Sequence, residues 1–161
     1  MLFRSMQFAG SSDAYFSIDY SNNISQFDGL KPLTIEGWFY PTQFANRMQL
    51  YYIGNYPLSG SASKIQLENS SANNLGMTLN GWNHVSTSMD GTTVRTFVNG
   101  TLVLSASQTS FTGNSGLRNY WGWRLDSFAS NFYGYMTDLR VYNNFCKYTS
   151  NFTPPTQIYL T

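Results

Sequence analysis

Three two-residue turn motifs, each ending in glycine, constrain the fold of this chain more than any other feature. They lie between positions 75 and 107 and separate runs of five to eight residues: Asn80-Gly81, Asp90-Gly91 and Asn99-Gly100. Asn-Gly and Asp-Gly supply the positive φ angles that tight hairpin turns require, at low steric cost. The segment therefore predicts a meander of up to four antiparallel strands.

Strand signals continue outside this meander. Gly, Pro or Asn interrupts the chain about every 8 to 12 residues, a spacing typical of all-β sandwiches and barrels. The length of 161 residues suits one domain. We therefore predict an all-β fold, a two-sheet antiparallel β-sandwich of about 11–12 strands that forms a single domain over residues 1–161. The strands expected outside the meander are Met6–Ala9, Ala14–Ile18, Leu33–Tyr40, Gln49–Ile53, Lys64–Leu67, Tyr120–Leu125, Phe132–Tyr142 and Gln157–Leu160.

Side-chain alternation indicates which strand faces are buried. Val94, Thr96 and Val98 share one face of a meander strand, whereas Arg95 lies on the other. We expect one face of this strand to be buried and the other to be solvated. The run Leu33–Tyr40 is apolar at both parities, which is typical of a central strand covered on both faces.

Composition predicts a neutral surface, because charged residues make up only 11% of the chain against roughly 25% in typical soluble domains. Ser, Thr, Asn and Gln supply more than a third of the residues. A net charge of +1 without a basic stripe argues against nucleic acid as a partner. No run approaches the roughly 20 apolar residues of a membrane span, and the start MLFRSMQFAG is not typical of a signal peptide. The single Cys146 excludes an intrachain disulfide.

Five short motifs follow one another along the chain: the Phe-Xaa-Gly-like start MQFAG, the strand LTIEGWFYP, the strand WNHV, the hairpin VNG and the strand GYMTDLRV. In this order they resemble the concanavalin A-like lectin/glucanase superfamily, and within it the laminin G-like jelly-roll domains. The resemblance runs from about Met6 to Tyr142. It implies a jelly-roll sandwich but no single function, because that fold serves lectins, adhesion modules, enzymes and structural coats.

The C-terminal stretch LRVYNNFCKYTSNFTPPT has a narrower resemblance. It is similar to the ending of laminin G-like domains in virion proteins of tailed phages, cyanophages among them, although Lys147 stands where that ending commonly has Arg. We expect a short turn that carries Tyr148 and Phe152 back onto the sandwich, with Pro154 and Pro155 ending strand pairing. The resemblance implies a viral particle.

The residues available for catalysis are few. Glycoside hydrolysis needs two carboxyl groups roughly 5–9.5 Å apart, and the Glu-Xaa-Asp-Xaa-Xaa-Glu motif of the glucanases is absent. The glutamates are Glu36 and Glu68, and Glu36 lies in a strand motif where we expect a structural carboxylate. Triad chemistry would depend on His84, the only histidine, whose place in the WNHV strand favours packing. The sequence therefore argues against an enzyme.

No cofactor is expected from the sequence. One His and one Cys cannot supply the four ligands of a tetrahedral transition-metal site. Calcium stays open, because some members of the resembled family bind it through loop oxygens. The carboxylates available to it do not share a compact ligand loop, and a structural role is favoured for the last of them: Asp13, Asp19, Asp28, Asp126 and Asp138.

Aromatic stretches beside glycine-rich loops are the candidate binding site. Sugar rings stack on aromatic faces, and amides or hydroxyls read their hydroxyl groups, although aromatic residues also build cores. The candidate carbohydrate- or partner-binding residues are Tyr51, Tyr52, Tyr56, Asn119, Tyr120, Trp121, Trp123 and Arg124.

Two functional hypotheses follow. The leading one is a non-enzymatic virion surface protein of a tailed phage, a capsid decoration or cement protein on the particle surface. It would dock on the major capsid protein or other virion proteins, as a homo-oligomer or a symmetric array. The alternative is a carbohydrate-binding, receptor-recognition domain of a tail fibre or adhesin, with a surface glycan as its partner.

Overall fold

The computed structural model describes residues 5–9, 16–19, 31–44, 47–55, 64–70, 75–107, 117–121 and 132–155. These residues form ten strands, and all their pairings are antiparallel, which confirms the all-β prediction. The strands are β1 (Met6–Ala9), β2 (Phe16–Asp19), β3 (Leu33–Pro41), β4 (Arg47–Asn55), β5 (Lys64–Ser70), β6 (Asn83–Met89), β7 (Thr93–Val98), β8 (Thr101–Ser107), β9 (Leu117–Trp121) and β10 (Tyr133–Asn143).

The strands form two sheets. One has six strands in the order β1-β10-β3-β6-β7-β8, and the other has four in the order β2-β9-β4-β5. Side chains from both sheets build one apolar core, which makes the domain a sandwich. The fully buried members include Ile35, Phe39, Met48, Leu50, Val85, Phe132 and Met136.

Strand β3 is covered on both faces, as its sequence predicts. It pairs with β10 on one side and β6 on the other. Ile35 and Phe39 point into the core, while Thr34 and Glu36, of the opposite parity, are also buried. The second cover is the C-terminal segment, which lies over the face of the six-stranded sheet that points away from the core.

The predicted meander of up to four strands has three, β6 to β8, and residues 75–79 form no strand. Leu75 and Met77 are buried in the core, but their backbone joins no strand in the described part of the chain. The Asn83 side chain instead organises this segment, because its amide bonds the backbone of Thr78 at 2.8 and 2.9 Å and the carbonyl of Gly81 at 2.8 Å. Asn side chains of this kind compete with ladder hydrogen bonds.

The two hairpin turns differ in their conformation. Asn99 and Gly100 have φ of 50° and 78°, the pair of positive angles that a type I′ turn needs. Asp90 is not among the positive-φ residues, and its carboxylate instead accepts the N–H groups of Thr92 and Thr93. The Asp90 side chain therefore supports the first hairpin beside the backbone bond from Asp90 N–H to the Thr93 carbonyl, and the second hairpin has the angles of a type I′ turn.

Some strand boundaries differ from the predicted ones, whereas β1 has the bounds that were predicted for it. Strand β9 begins at Leu117, whereas residues 122–125 lie outside the described part of the chain. The expected closing strand Gln157–Leu160 also lies outside it. Strand β1 pairs with β10, with Phe8 opposite Gly134.

Candidate functional site

The face of the six-stranded sheet that points away from the core, called the outer face, carries most of the polar and aromatic side chains described below. On β3 its row is Thr34, Glu36, Trp38 and Tyr40, alternating with the core residues. On β6 it carries His84, the cross-strand partner of Trp38. One half of this face is covered by the chain itself and the other half is open.

Residues 144–155, called the strap, cover the first half. Tyr148 and Phe152 stack on each other with ring centroids 3.5 Å apart. Phe152 also contacts Phe97 of β7 and His84, edge to face, at 5.4 and 5.7 Å. This confirms the expected return of Tyr148 and Phe152 onto the sandwich, and it corrects the expectation of a solvated face, because Phe97 is fully buried.

Hydrogen bonds fix both ends of the strap. The Thr34 hydroxyl donates to the Phe145 carbonyl at 2.9 Å and accepts the N–H of Lys147 at 2.8 Å. At the far end, the Phe152 N–H donates to the Gly100 carbonyl at 2.9 Å. The strap therefore crosses from β10 over β3, β6 and β7 to the β7–β8 turn.

Glu36 lies beneath the strap with only 2% of its side chain exposed. Its Oε1 accepts hydrogen bonds from Lys147 Nζ at 2.6 Å and from the Tyr142 hydroxyl at 3.0 Å, and its Oε2 lies 3.6 Å from His84 Nε2. Burial alone would raise the pKa of Glu36, but the His84 contact and the hydrogen bond and charge of Lys147 lower it to about 2. This carboxylate is a structural anchor for the strap, as its motif predicts.

The open half of the outer face contains an aromatic cleft. Its volume is about 250 Å³, and its lining residues are Ser5, Tyr40, Trp82 and Tyr135. The Tyr40 ring lies 5.5 Å from Trp82 and 6.0 Å from Tyr135, with interplanar angles of 67° and 71°. Since the rings meet edge to face, no two of them stack with their flat surfaces against each other.

The register of the sheet brings these rings together from three distant segments. Tyr40 of β3 and Tyr135 of β10 are direct cross-strand partners. Trp82 immediately precedes β6, where Asn83 pairs with Phe39. The Asn83 amide fixes the loop that leads into Trp82, and the Asn80 N–H donates to the Pro41 carbonyl at 2.8 Å. The cleft is thus built on regular strands and an anchored loop.

Sequence reasoning did not find this cleft. Aromatic residues occur at both parities around Tyr40, so alternation gave no reason to single it out. The signal in the sequence was that two of the three aromatic residues lie at strand ends. Tyr40 precedes Pro41 at the end of its strand, and Trp82 directly follows a glycine turn.

The residues predicted to form a binding site lie in different parts of the structure. Tyr51 is 1% exposed and belongs to the core, so the prediction of a binding role for it is wrong. The backbone register places Tyr51 opposite Trp121, Tyr52 opposite Tyr120 and Ile53 opposite Asn119. The two predicted stretches are therefore neighbours on β4 and β9. Tyr56, Trp123 and Arg124 lie outside the described residues.

Metal-ligating side chains do not cluster in the described part of the chain. No group of three His, Cys, Asp or Glu residues that could hold an ion occurs there. Asp138 binds Arg140 through both carboxylate oxygens, at 2.7 and 2.9 Å, at an irregularity in β10. Among the same described residues, no helix has the length and apolar character that a membrane crossing requires.

The fold and the outer face define an antiparallel two-sheet jelly-roll sandwich with an open aromatic cleft. A family model described as the concanavalin A-like lectin/glucanases superfamily, Laminin_G_3, matches residues 10–147. The chain belongs to this superfamily, as its motifs indicate. Comparison with curated protein sequences finds no match.

Solved structures of similar fold include several binding domains. The chain matches the CBM40 of the Ruminococcus gnavus IT-sialidase with a TM-score of 0.63 and 17% identity, over 88% of this chain and 90% of that one. It matches domain 4 of AbnA, a GH43 extracellular arabinanase from Geobacillus stearothermophilus in complex with arabinotriose, with a TM-score of 0.60 and 16% identity, over 87% and 70%. It matches domains LG4-5 of the mouse laminin alpha1 chain with a TM-score of 0.58 and 16% identity, over 85% of this chain and 40% of that one. At such identities the likeness shows the fold alone.

Proposed function

We propose that this protein is a non-enzymatic carbohydrate-binding domain whose binding site is the aromatic cleft. The observation that carries the proposal is the convergence of Tyr40, Trp82 and Tyr135 around a cavity of about 250 Å³. An open cavity with aromatic walls and a few hydroxyl groups is the general form of a small-ligand site. Such a domain suits the receptor-recognition part of a tail fibre or adhesin.

The chemistry of the lining favours sugars over purely apolar ligands. Sugar rings present C–H groups on one face and hydroxyls around the edge. Tyr and Trp combine an apolar ring with a polar end, so they meet both parts of a sugar. The three aromatic residues are only partly buried, which leaves ring surface for a ligand. Two similar folds, a sialidase CBM40 solved with sialyllactose and an arabinanase domain solved with arabinotriose, support this choice.

The proposal includes no catalysis, and the state of Glu36 supports this. Glycoside hydrolysis requires a carboxyl group that reaches the substrate and exchanges a proton with it. Glu36 is buried under the strap and bonded to Lys147 and Tyr142. It can neither contact a sugar in the cleft nor protonate easily, because its pKa is lowered to about 2.

The test is a glycan array followed by titration calorimetry on the whole chain. Binding should weaken at least tenfold in Trp82→Ala, because a central aromatic anchor contributes a large share of the binding energy. Phe145→Ala is the matched control, since Phe145 is an aromatic residue of the outer face that is 53% exposed and lies outside the cleft. Thermal unfolding checks that both variants are folded. Absence of binding to every glycan, or equal binding by Trp82→Ala, would overturn the proposal.

A second candidate function is capsid decoration on a phage particle, with the major capsid protein as partner. One support is the resemblance of the C-terminal stretch LRVYNNFCKYTSNFTPPT to phage virion proteins. The other is the uncharged edge strand β8, where Leu102 and Leu104 are 41% and 45% exposed. An edge with exposed apolar side chains suits lateral contacts in an array. Co-purification with intact heads at the copy number of the capsid protein is the expected result, and absence from the particle would contradict it.

A further inference from the structure

We infer that the aromatic cleft selects a single neutral hexopyranose ring and discriminates against acidic sugars. This inference rests on the proposed carbohydrate-binding function and names the ligand class of the same cleft. It is carried by the chemical character of the lining, the pairing of the basic side chains described on the same sheet face and the size of the cavity.

The described residues of the lining include no Asp, Glu, Lys, Arg or His. Its polar groups are the hydroxyls of Ser5, Tyr40 and Tyr135 and the indole N–H of Trp82. These groups can donate to and accept from sugar hydroxyls. A carboxylate on the ligand would find no residue of opposite charge among these four, and a charge that loses water without a partner is strongly disfavoured.

The basic side chains described on the outer face are already paired. Lys147 is bonded to Glu36 at 2.6 Å, and Arg140 holds Asp138 through two hydrogen bonds. Arg95 donates to Asp90 at 2.6 Å. An acidic sugar would have to compete with a protein carboxylate for each of these cations, whereas a neutral sugar makes no such demand.

The size of the cavity matches about one sugar ring. Its volume of about 250 Å³ lies just below the range of roughly 300–1,000 Å³ that pockets for drug-sized ligands occupy. The aromatic walls come from Tyr40, Trp82 and Tyr135 on neighbouring segments of one sheet face. Longer glycans would place one residue in the cleft and the rest on its rim.

Matched sugar pairs provide the test. Methyl hexopyranosides of the gluco, galacto and manno series are compared with the methyl glycosides of the corresponding uronic acids (the uronides). Each uronide differs from its neutral partner only by a carboxylate in place of the hydroxymethyl group at C6. Binding to the whole chain is measured by NMR titration at constant ionic strength, with sialyllactose as a second acidic ligand. We expect at least one neutral member to bind tenfold or more tightly than its uronide, and Trp82→Ala to weaken that neutral binding at least tenfold.

The outcomes separate this inference from the proposed function. If an acidic sugar binds as well as or better than its neutral partner and Trp82→Ala removes that binding, the cleft is a sugar site but the neutral selection is refuted. Arg4, which directly precedes Ser5 in the sequence, is then the first cation to replace with Ala. If no sugar binds, or if binding is unchanged in Trp82→Ala, both the proposed function and this inference are refuted. Phe145→Ala, outside the cleft, should keep the neutral binding, and thermal unfolding of each variant shows whether it is folded.

Discussion

Lys147 Nζ and Glu36 Oε1 lie 2.6 Å apart, and this ion pair joins the strap to the central strand of the sheet. The Glu36 side chain is 2% exposed and the Lys147 side chain 26%, so the pair is partly shielded from water. Removing the lysine would leave a buried carboxylate oxygen without its strongest partner. Substitutions in this pair should therefore show how much the attachment of the strap contributes to the stability of the domain.

We predict that Lys147→Met lowers the free energy of unfolding by about 1–3 kcal/mol, the cost of leaving a buried acceptor unsatisfied. Urea denaturation of the variant and the wild type measures this difference. The matched background is Glu36→Gln, in which the same lysine substitution should cost much less, because the charge is gone. An equal cost in both backgrounds would show that the lysine acts through other contacts of its ammonium group, such as those with the Tyr142 and Tyr148 rings.

Acid should destabilise the domain through Glu36. The pKa of Glu36 is lowered from its ordinary value of 4.5 to about 2 in the folded protein. Because the folded-state pKa lies below the unfolded one, the stabilisation is complete above about pH 4.5 and is lost as the pH falls toward about 2. Denaturant midpoints between pH 7 and pH 2 should fall less steeply in Glu36→Gln than in the wild type. Parallel curves would contradict the lowered pKa.

Gly100→Ala should be much more damaging than Gly76→Ala. Both glycines have positive φ, at 78° and 74°, so each substitution carries the same backbone strain of roughly 1–2 kcal/mol. A Cβ on Gly100 would also lie 1.8 Å from the Phe152 carbonyl oxygen, whereas a Cβ on Gly76 meets nothing within 4 Å. We expect Gly100→Ala to cost about 1–3 kcal/mol more, with the strap displaced. Thermal unfolding measures the difference, and similar melting temperatures would place the strap elsewhere.

Tyr51 should matter for stability and not for binding. It is buried in the core, and burial raises the pKa of its hydroxyl while a hydrogen bond with Thr87 of the facing sheet opposes that rise. Tyr51→Ala should lower the free energy of unfolding by about 3–5 kcal/mol. Tyr51→Phe should lower it by only about 1 kcal/mol. Neither variant, where folded, should change glycan affinity, and a loss of affinity in Tyr51→Phe would restore the sequence-based assignment.

The example of Tyr51 shows why the fold was easier to predict than the site. Strands such as β3 and β10 follow from alternation and motif order, which are local properties of the sequence. Tyr51 is buried because the register shifts between Gln49 and Tyr51, which turns the Tyr51 side chain to the same side of the sheet as Leu50 and Met48. No residue type at these positions marks a bulge.

The cleft was missed for a different physical reason. Tyr40, Trp82 and Tyr135 belong to three segments, and only the pairing of β3 with β10 and β6 makes them neighbours. The order of strands within a sheet is not encoded in any one segment. The confirmed prediction for Tyr148 and Phe152 succeeded because the turn that returns them is local, although the residues they cover, such as Phe97, could not be named in advance.

The strap also has a consequence for how the chain folds. Thr34 and Lys147 are 113 positions apart in sequence, and their hydrogen bond joins the strap, which follows β10, to β3. Contacts of such separation give a high contact order, and the entropy of closing the loop is lost before any of them forms. The strap should therefore be absent from the folding transition state, so that changes at Phe152 accelerate unfolding and leave the refolding rate almost unaltered. The segment that completes the sheet last would then set the lifetime of the folded protein.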